Sequence, residues 1–492
     1  MSALLPSTFF IEREIPEEDW ANTPASVRRG FEWLWQERER LREQAGQSSR
    51  NSSLPPSKDR PAHKKPRRKE ATPRTRGGQP GHPGVTRPLV PPEQVTTTRS
   101  VVPEACAACG TALPADTPTT GAPYRHQVIE LPPITPVITE YQLQHCACPH
   151  CGATCRAPLP AGVPALTLGP HAQALITLLT GQYHLAKRAV ASLLQDLAGI
   201  AVSPASICAV EQAMSAALAA PVAATRDALQ QAPAKHLDES GWPQRRDPDP
   251  GQPADTPLKR GWLWSLTTAD ASVYLIRRSR SQAVARILLG VAPDATALVG
   301  IVITDRHGAY NWLPLAQRQL CWAHLDRDFL AISERTDPTA QRSGQGLLAQ
   351  ADAVFHAWRQ YRDGALTFAE VGDTLQPVRA EVAALLRAGH GADPKTKTVC
   401  HNLLQVEPAL WTFLRVEGVA PTNNAAERAQ RRGVMKRDRT FGTQTSAGSR
   451  YVERLLTTVA TCQVQRRNVL TYLTAALHAH LQGLPVPLLL PP

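Results

Sequence analysis

The chain has 492 residues, 42% of them hydrophobic and 20% charged, and a formal net charge of +12. That length exceeds one ordinary core, so several domains are expected, and the balance is that of a globular protein. There is no run of about 18 apolar residues, no basic-then-apolar leader, and only ten cysteines in so long a chain, which argues against a membrane span, secretion and a disulfide scaffold. An isoelectric point near 9.4 favours a polyanionic partner, of which nucleic acid is the commonest, although ribosomal and membrane-surface proteins share it.

In chain order, residues 1–46 read as an N-terminal helical segment. Within it Val27, Phe31, Leu34, Leu41 and Ala45 keep a rough heptad spacing that Arg38 interrupts. Such a stripe suits a short coiled coil pairing two subunits, or equally a helix packed on its own chain. Residues 47–99 change character. From Lys58 to Arg87 ten Lys or Arg stand against Asp59 and Glu70, giving +8 of the total charge. This composition cannot offset its own chain entropy, so it reads as a flexible basic arm whose Lys64, Lys65, Arg67 and Arg68 touch phosphates without reading bases.

Residues 100–160 hold six of the ten cysteines. Cys106-x-x-Cys109 and Cys148-x-x-Cys151 form two knuckles, the pattern of a closed structural Zn²⁺ site with four thiolates. Cys146, Cys155 and His150 are alternative ligands, and Val137-Ile138-Thr139 and Tyr141-Gln142-Leu143 are β-prone. Cys208, Cys321, Cys400 and Cys462 read as buried packing residues. Residues 161–232 turn helical. Gly199-Ile200 followed by Ser203-Pro204, a capping Ser with Pro at the first helical position, reads as a helix-turn-helix, although the second helix is mostly Ala with few donors for base edges.

In residues 233–330, Trp262 to Thr267 and Val273 to Arg277 read as neighbouring strands and 284–289 as a helix. Leu298 to Thr304 is an apolar run suited to a central strand, and a further strand is expected around Gln319 to His324. Residues 331–420 are helical again, and a last helical region, 421–492, starts near Asn424. Strands, helix, two more strands and then helices match a multidomain α/β chain. Its centre is an RNase H-like core, a mixed sheet with flanking helices and an all-helical insertion before the last catalytic helix. The Trp residues 262, 264 and 322 belong to the core.

Metal-assisted phosphoryl transfer needs carboxylates converging from different elements. Asp238, in Lys235-His236-Leu237-Asp238-Glu239-Ser240-Gly241-Trp242, would face away from Glu239 in a strand. Asp305 ends the strand Ile301-Val302-Ile303-Thr304-Asp305, where ligands of open α/β sheets gather, though a turn acid reads the same way. Glu427 follows Asn424 by three residues, the spacing of a capping box. After it come Arg428, Arg431, Arg432, Lys436, Arg437 and Arg439. Positions 428, 432 and 439 share a helical face, which suits phosphate or simply water. His236, His307 and His324 are candidates for catalysis by residue type alone, and His324 reads rather as a positioning or packing residue.

Four segments, Asn51 to Ser57, Gly77-Gly78-Gln79-Pro80-Gly81-His82, Cys321-Trp322-Ala323-His324 and Asn423-Asn424-Ala425-Ala426-Glu427-Arg428, occur in one order. Together they resemble the insertion sequence 66 family of DDE transposases, of its large TnpC type, over about residues 25–480. Two positions depart from the family pattern: Leu325-Asp326-Arg327 where two basic residues usually follow the Cys-Trp-Ala-His, and Thr422 where an acid commonly precedes the paired Asn. The resemblance implies that Asp238, Asp305 and Glu427 are catalytic and hold Mg²⁺ (or Mn²⁺), and that Cys106, Cys109, Cys148 and Cys151 hold structural Zn²⁺. Arg428, Arg432, Lys436 and Arg437 are the expected DNA contacts beside the acids. The implied partners are the element's terminal inverted repeats and target DNA, a second copy of the chain and small accessory transposition proteins, with no membrane and a bacterial cytoplasmic, nucleoid-associated location. The competing readings are a catalytically silent DNA-binding relative, a regulator built on the zinc knuckles and helix-turn-helix, and a structure-specific nuclease with the same core.

Overall fold

The computed structural model describes residues 17–48, 50, 51, 87–244, 261–295 and 298–490. Most of the expected basic arm, including Lys64, Lys65, Arg67 and Arg68, lies outside the described residues. Of the described residues, 87–136 fall in a smaller compact unit and the others in a larger one. In the smaller unit the chain is irregular, and Val90 exchanges hydrogen bonds with the Gln127 amide (2.8 and 2.9 Å).

The larger unit starts with α1 (Glu17–Asn22) and α2 (Ala25–Gly46). Trp20 is buried and meets Phe31 edge-on at 6.2 Å, while Val27, Leu34 and Leu41 stay exposed. A two-stranded hairpin follows, β1 (His145–Ala147) and β2 (Thr154–Arg156). The β-prone runs at 137–139 and 141–143 are not strands: Val137 and Ile138 are almost fully exposed. An extended run with no neighbouring strand has no ladder to join. Four helices come next, α3 (Pro170–Gly181), α4 (Lys187–Ala198), α5 (Pro204–Ala217) and α6 (Ala219–Gln230). Gly199 ends α4 in the left-handed region, and the Ser203 side chain caps α5 by accepting from Ser206 N at 3.0 Å. Among the described residues no single helix is long and apolar enough to cross a membrane.

A mixed sheet organises the remainder. Its strands are β3 (Ala234–Trp242), β4 (Gly261–Thr267), β5 (Ser272–Arg277), β6 (Ile301–Thr304) and β7 (Arg318–Leu320), in the order β5-β4-β3-β6-β7. The first three form an antiparallel meander, and β6 and β7 run parallel to β3. Strand β6 is shorter than its apolar run. Gly300 has φ +68°, and a Cβ there would come within 2.4 Å of the Pro233 carbonyl oxygen, so the chain turns at Gly300 before pairing begins. Likewise β7 ends at Leu320, and Cys321 caps helix α8 (Trp322–Ser333). The segment Trp322 to His324, expected as strand, is therefore the first turn of a helix, its start fixed by the 2.9 Å bond from Trp322 N to Pro421 O.

One face of the sheet carries α7 (Gln282–Leu289), which packs Val284, Ala285 and Leu288 on Leu237, Trp264 and Leu266. The helices α9 (Pro338–Arg362), α10 (Phe368–Ala388) and α11 (Pro394–Gln405) form the insertion, with a core that runs on from Ile303, Leu320 and Phe329. On the other face lie α12 (Asn424–Thr440) and α13 (Ser446–Val464), followed by α14 (Val469–Leu481), which extends the core toward α3.

Both edges of the sheet are closed by side chains. On α13, Glu453, Thr457 and Thr461 are spaced by four and accept from the N–H groups of Ile276 (2.7 Å), Tyr274 (3.1 Å) and Ser272 (3.3 Å), spaced by two on β5. Four helical residues and two strand residues advance by similar lengths, about 6 and 6.6 Å, so helix and strand stay in step. At β7 the Gln319 amide bonds Leu410 O (3.1 Å) and Phe413 N (2.8 Å), and the Thr412 hydroxyl bonds Arg318 O (2.6 Å). Edges covered in this way offer no template for another strand.

The approach of α12 to the sheet depends on Gly433, where a Cβ would come within 2.0 Å of the buried Leu263 side chain. We expect Gly433→Ala to destabilise the protein by about 1–3 kcal/mol through overpacking, measured as a lower midpoint in denaturant; an unchanged midpoint would mean that the helix is free to ride up at no cost.

Candidate active site

Three elements meet where α12 crosses the sheet. Alternation along β3 sends Leu237 and Glu239 to the α7 face and His236, Asp238 and Ser240 to the α12 face. Glu239 is buried, where it accepts from the Tyr310 hydroxyl and from Arg280 Nε (2.7 Å), so Asp238 and Glu239 do diverge. Asp305 directly follows β6. It lies two residues beyond Ile303, and Asp238 two residues beyond His236, the position paired with Ile303 in the parallel register. The Asp305 carboxylate accepts from His307 N at 2.9 Å, which fixes the turn.

Glu427 stands in the first turn of α12. The capping box expected from Asn424 and Glu427 does not form. Asn423 is the residue at the cap, and its side chain makes no capping bond. It reaches the sheet instead: Nδ2 donates to Leu237 O (2.9 Å), and Oδ1 lies 3.0 Å from His236 Nδ1. Its backbone N–H donates to Cys321 Sγ (3.0 Å). Seven residues on, Gln430 Nε2 reaches Asp238 O and Leu263 O, both at 3.0 Å. Asn423 and Gln430 thus pin α12 on either side of Glu427, a role that only the doubled Asn of the motif hinted at. With its helix fixed, Glu427 turns toward α8. Its Oε1 lies 3.3 Å from Arg327 and 3.5 Å from His324 Nδ1.

The acids act on one another electrostatically. Burial pushes the Asp238 carboxyl well above the usual carboxylate range, and the charges of Glu239, Asp305 and Glu427 push it further. Burial lowers the His324 pKa, helped by Arg327 and opposed by Asp305 and Glu427. Among the described residues, ligand atoms of Cys321, His324 and Glu427 lie within 4.8 Å of one another. A set of carboxylates with an imidazole is a donor set for a divalent cation, and no Lys or Arg bonds the Asp238 carboxylate among the hydrogen bonds and ion pairs of the described residues.

The basic stretch of α12 separates into two groups. Arg428, Arg431 and Arg439 are exposed and Arg432 is half-buried. Lys436, expected at the DNA, is only 5% exposed, donates to Thr180 O (3.0 Å), and burial lowers its pKa to about 8. Arg437, also expected there, bonds Gly241 O (2.6 Å) and Ser240 Oγ (3.2 Å). Both correct the expectation, because an amphipathic helix must turn some of its cations toward the protein when charges occupy every face. The outer face of α5 carries Ala205, Cys208, Gln212 and Ala216, so Cys208 is exposed rather than a packing residue. Cys321, Cys400 and Cys462 are buried.

The two knuckles share one turn. In the first, Cys106 N donates to Thr111 O and Gly110 N to Cys106 O, both 2.8 Å, with Gly110 at φ +75°. In the second, Cys148 N donates to Ala153 O and Gly152 N to Cys148 O, again at 2.8 Å, with Gly152 at φ +71°. Such turns aim N–H groups at sulfur. The Cys109 thiol is lowered to about 7, chiefly by Thr111, and that of Cys148 is lowered by the N–H groups of Cys151 and His150. Cys146 and Cys155 instead face each other across the β1–β2 hairpin.

Lys436 gives this subsection its test. A lysine whose folded pKa is depressed binds fewer protons folded than unfolded between the two values, so its contribution to stability rises with pH there and is lost as pH falls through the folded value. Relative to Lys436→Met, the wild-type protein should gain stability as pH rises from about 8 to about 10.5; parallel stability curves in thermal melts across that range would contradict the burial of the ammonium.

Three family profiles match the chain. The profile of the transposase IS66 family matches residues 166–451, and that of the zinc-finger binding domain of transposase IS66 matches residues 103–152. A family of unknown function (DUF6444) matches residues 25–88. No curated protein matched the chain. Since the first of these matches spans more than half of the sequence, the chain belongs to the transposase IS66 family.

Proposed function

We propose that this transposase cuts and joins DNA at Asp238, Asp305 and Glu427, with two Mg²⁺ or Mn²⁺ ions held between them. The observation that carries the reading is the Asp238 carboxyl, whose neighbours include both other acids. Like charges drawn from β3, the end of β6 and α12 repel one another and raise the Asp238 carboxyl, so the arrangement is costly unless cations neutralise it. The strand order, an antiparallel meander followed by two parallel strands, with α12 packed on β3 and β4, supports an RNase H-like core.

Bound cations of this kind lower the pKa of a water and neutralise charge on a phosphodiester as it reacts. The protein's part is to hold the three acids in place. Asn423 and Gln430 keep α12 on β3 and β4, and the Asp305 turn is fixed by His307 N–H. The exposed Arg428 and the half-buried Arg432 line the same helix and suit DNA phosphates. Water attacks phosphorus, the bond to the 3′ oxygen breaks, and a 3′-hydroxyl is freed at the element's end. That hydroxyl then attacks a phosphodiester of target DNA and displaces its 3′ oxygen, with no covalent link to the protein. Cys106, Cys109, Cys148 and Cys151 are the proposed ligands of the structural zinc, and the exposed apolar side of α2 suits pairing with a second copy.

Asp238→Asn, Asp305→Asn and Glu427→Gln should each lower Mg²⁺-dependent cleavage of element-end DNA by about a thousandfold or more, as removal of a group that stabilises transition-state charge does, with DNA affinity nearly unchanged. Robust cleavage by any one of them would remove that residue from the site. In the same binding assay Arg432→Ala should weaken DNA and reduce the salt dependence, while Lys436→Met should do neither. Metal analysis of the purified chain should give one zinc, lost in Cys106→Ser and in Cys148→Ser; full zinc content in both variants would reassign the ligands.

A further inference from the structure

Next to the three acids stands a group that the proposed chemistry leaves unused. His324 lies in the first turn of α8, which the bond from Trp322 N to Pro421 O holds against the segment leading into α12. Its Nδ1 is buried and has no hydrogen-bond partner. A buried ring nitrogen without a partner has given up its water for nothing in return. The nearest acidic oxygen is Glu427 Oε1 at 3.5 Å, beyond a good hydrogen bond.

That separation suits two ligands of one cation. Donors about 2.1 Å from a metal stand about 3.0 Å apart at a right angle and about 3.4 Å apart at a tetrahedral angle. Asp305 lies on the same side, close enough to act on His324 electrostatically. The other members of the neighbourhood fit less well. Cys321 Sγ already accepts from Asn423 N and is buried. Arg327 approaches the same Glu427 oxygen, but its side chain is 27% exposed and has room to swing outward.

We propose that His324 is a direct ligand, through Nδ1, of the cation held at Glu427, so that this half of the site offers an imidazole as well as carboxylates. The inference rests on the three-carboxylate reading above. An imidazole ligand favours Mn²⁺ and softer ions over Mg²⁺, which prefers oxygen donors alone. The site would therefore discriminate between its two positions: one all-oxygen, at Asp238 and Asp305, and one mixed, at Glu427 and His324.

The test is Mn²⁺ titrated into the zinc-loaded, full-length chain and followed by pulsed electron paramagnetic resonance, which detects a coordinated ¹⁴N directly. Wild-type protein should show the ¹⁴N coupling, and His324→Gln and His324→Asn should lose it and weaken Mn²⁺ on the order of tenfold. ¹⁵N-histidine labelling of the wild type should convert the signal to that of ¹⁵N, a readout independent of how the variants fold. Mn²⁺ bound in a manner sensitive to Asp238→Asn, but with no nitrogen coupling or with coupling that survives in the variants, would overturn the proposal and leave the carboxylate site standing. Mn²⁺ bound equally well by wild type, Asp238→Asn and Glu427→Gln would overturn both.

Discussion

The close seating of α12 on the sheet is the constraint on which the site depends. A helix that carries a catalytic-type acid in its first turn must lie at a fixed height and rotation. Three residues of one face set both: Asn423 and Gln430 bond backbone carbonyls of β3 and β4, and Gly433 removes the side chain that would hold the helix off Leu263. Spaced by seven and then three, they present one stripe to the sheet. Glu427 lies between the first two, at the border of the same face, where its carboxylate meets His324 and Arg327 of α8.

The same seating explains how polar groups are handled beneath the site. A sheet with buried edges would leave N–H and C=O groups without partners, at a cost per group comparable to a lost hydrogen bond. Here α13 supplies acceptors to β5 in matching register, and the turns at 407–414 supply partners to β7. The insertion is thus structurally joined to the sheet at the strand that leads into α8, which brings His324 and Arg327 to the same place as Glu427. Bonding at both edges and along α12 fixes the elements that carry Asp238, Asp305 and Glu427 relative to the sheet.

Positive charge is divided between two tasks. Arg437 ties α12 to the end of β3, and Lys436 spends its ammonium on a helix carbonyl of α3. Both act as long side chains that bury their stems and satisfy backbone oxygens. Arg428, Arg431 and Arg439 remain exposed on the same helix, the arrangement that a phosphate backbone would meet.

The sequence by itself determined the elements and the family. Hydrophobic runs located β4, β5 and the buried part of β6, Ser203 and Gly199 marked real helix ends, paired Cys-x-x-Cys spacings marked the knuckles, and four motifs in order pointed to the transposase family. These are local signals: a cap, a turn or a run of apolar residues acts over a few positions and is legible from them. Tertiary structure decided the rest. Whether Glu427 capped its helix or left it was fixed by Asn423 bonding to β3, 186 residues away. The fates of Lys436 and Arg437 were fixed by what lay across from them, and the run Val137-Ile138-Thr139 stayed irregular for want of a neighbouring strand. His324 read as a packing or positioning residue because its buried, unpartnered nitrogen exists only once α8 and α12 meet. Spacing along a chain sets which face a side chain takes, but only the packed partner decides whether that face finds water, protein or a second charge.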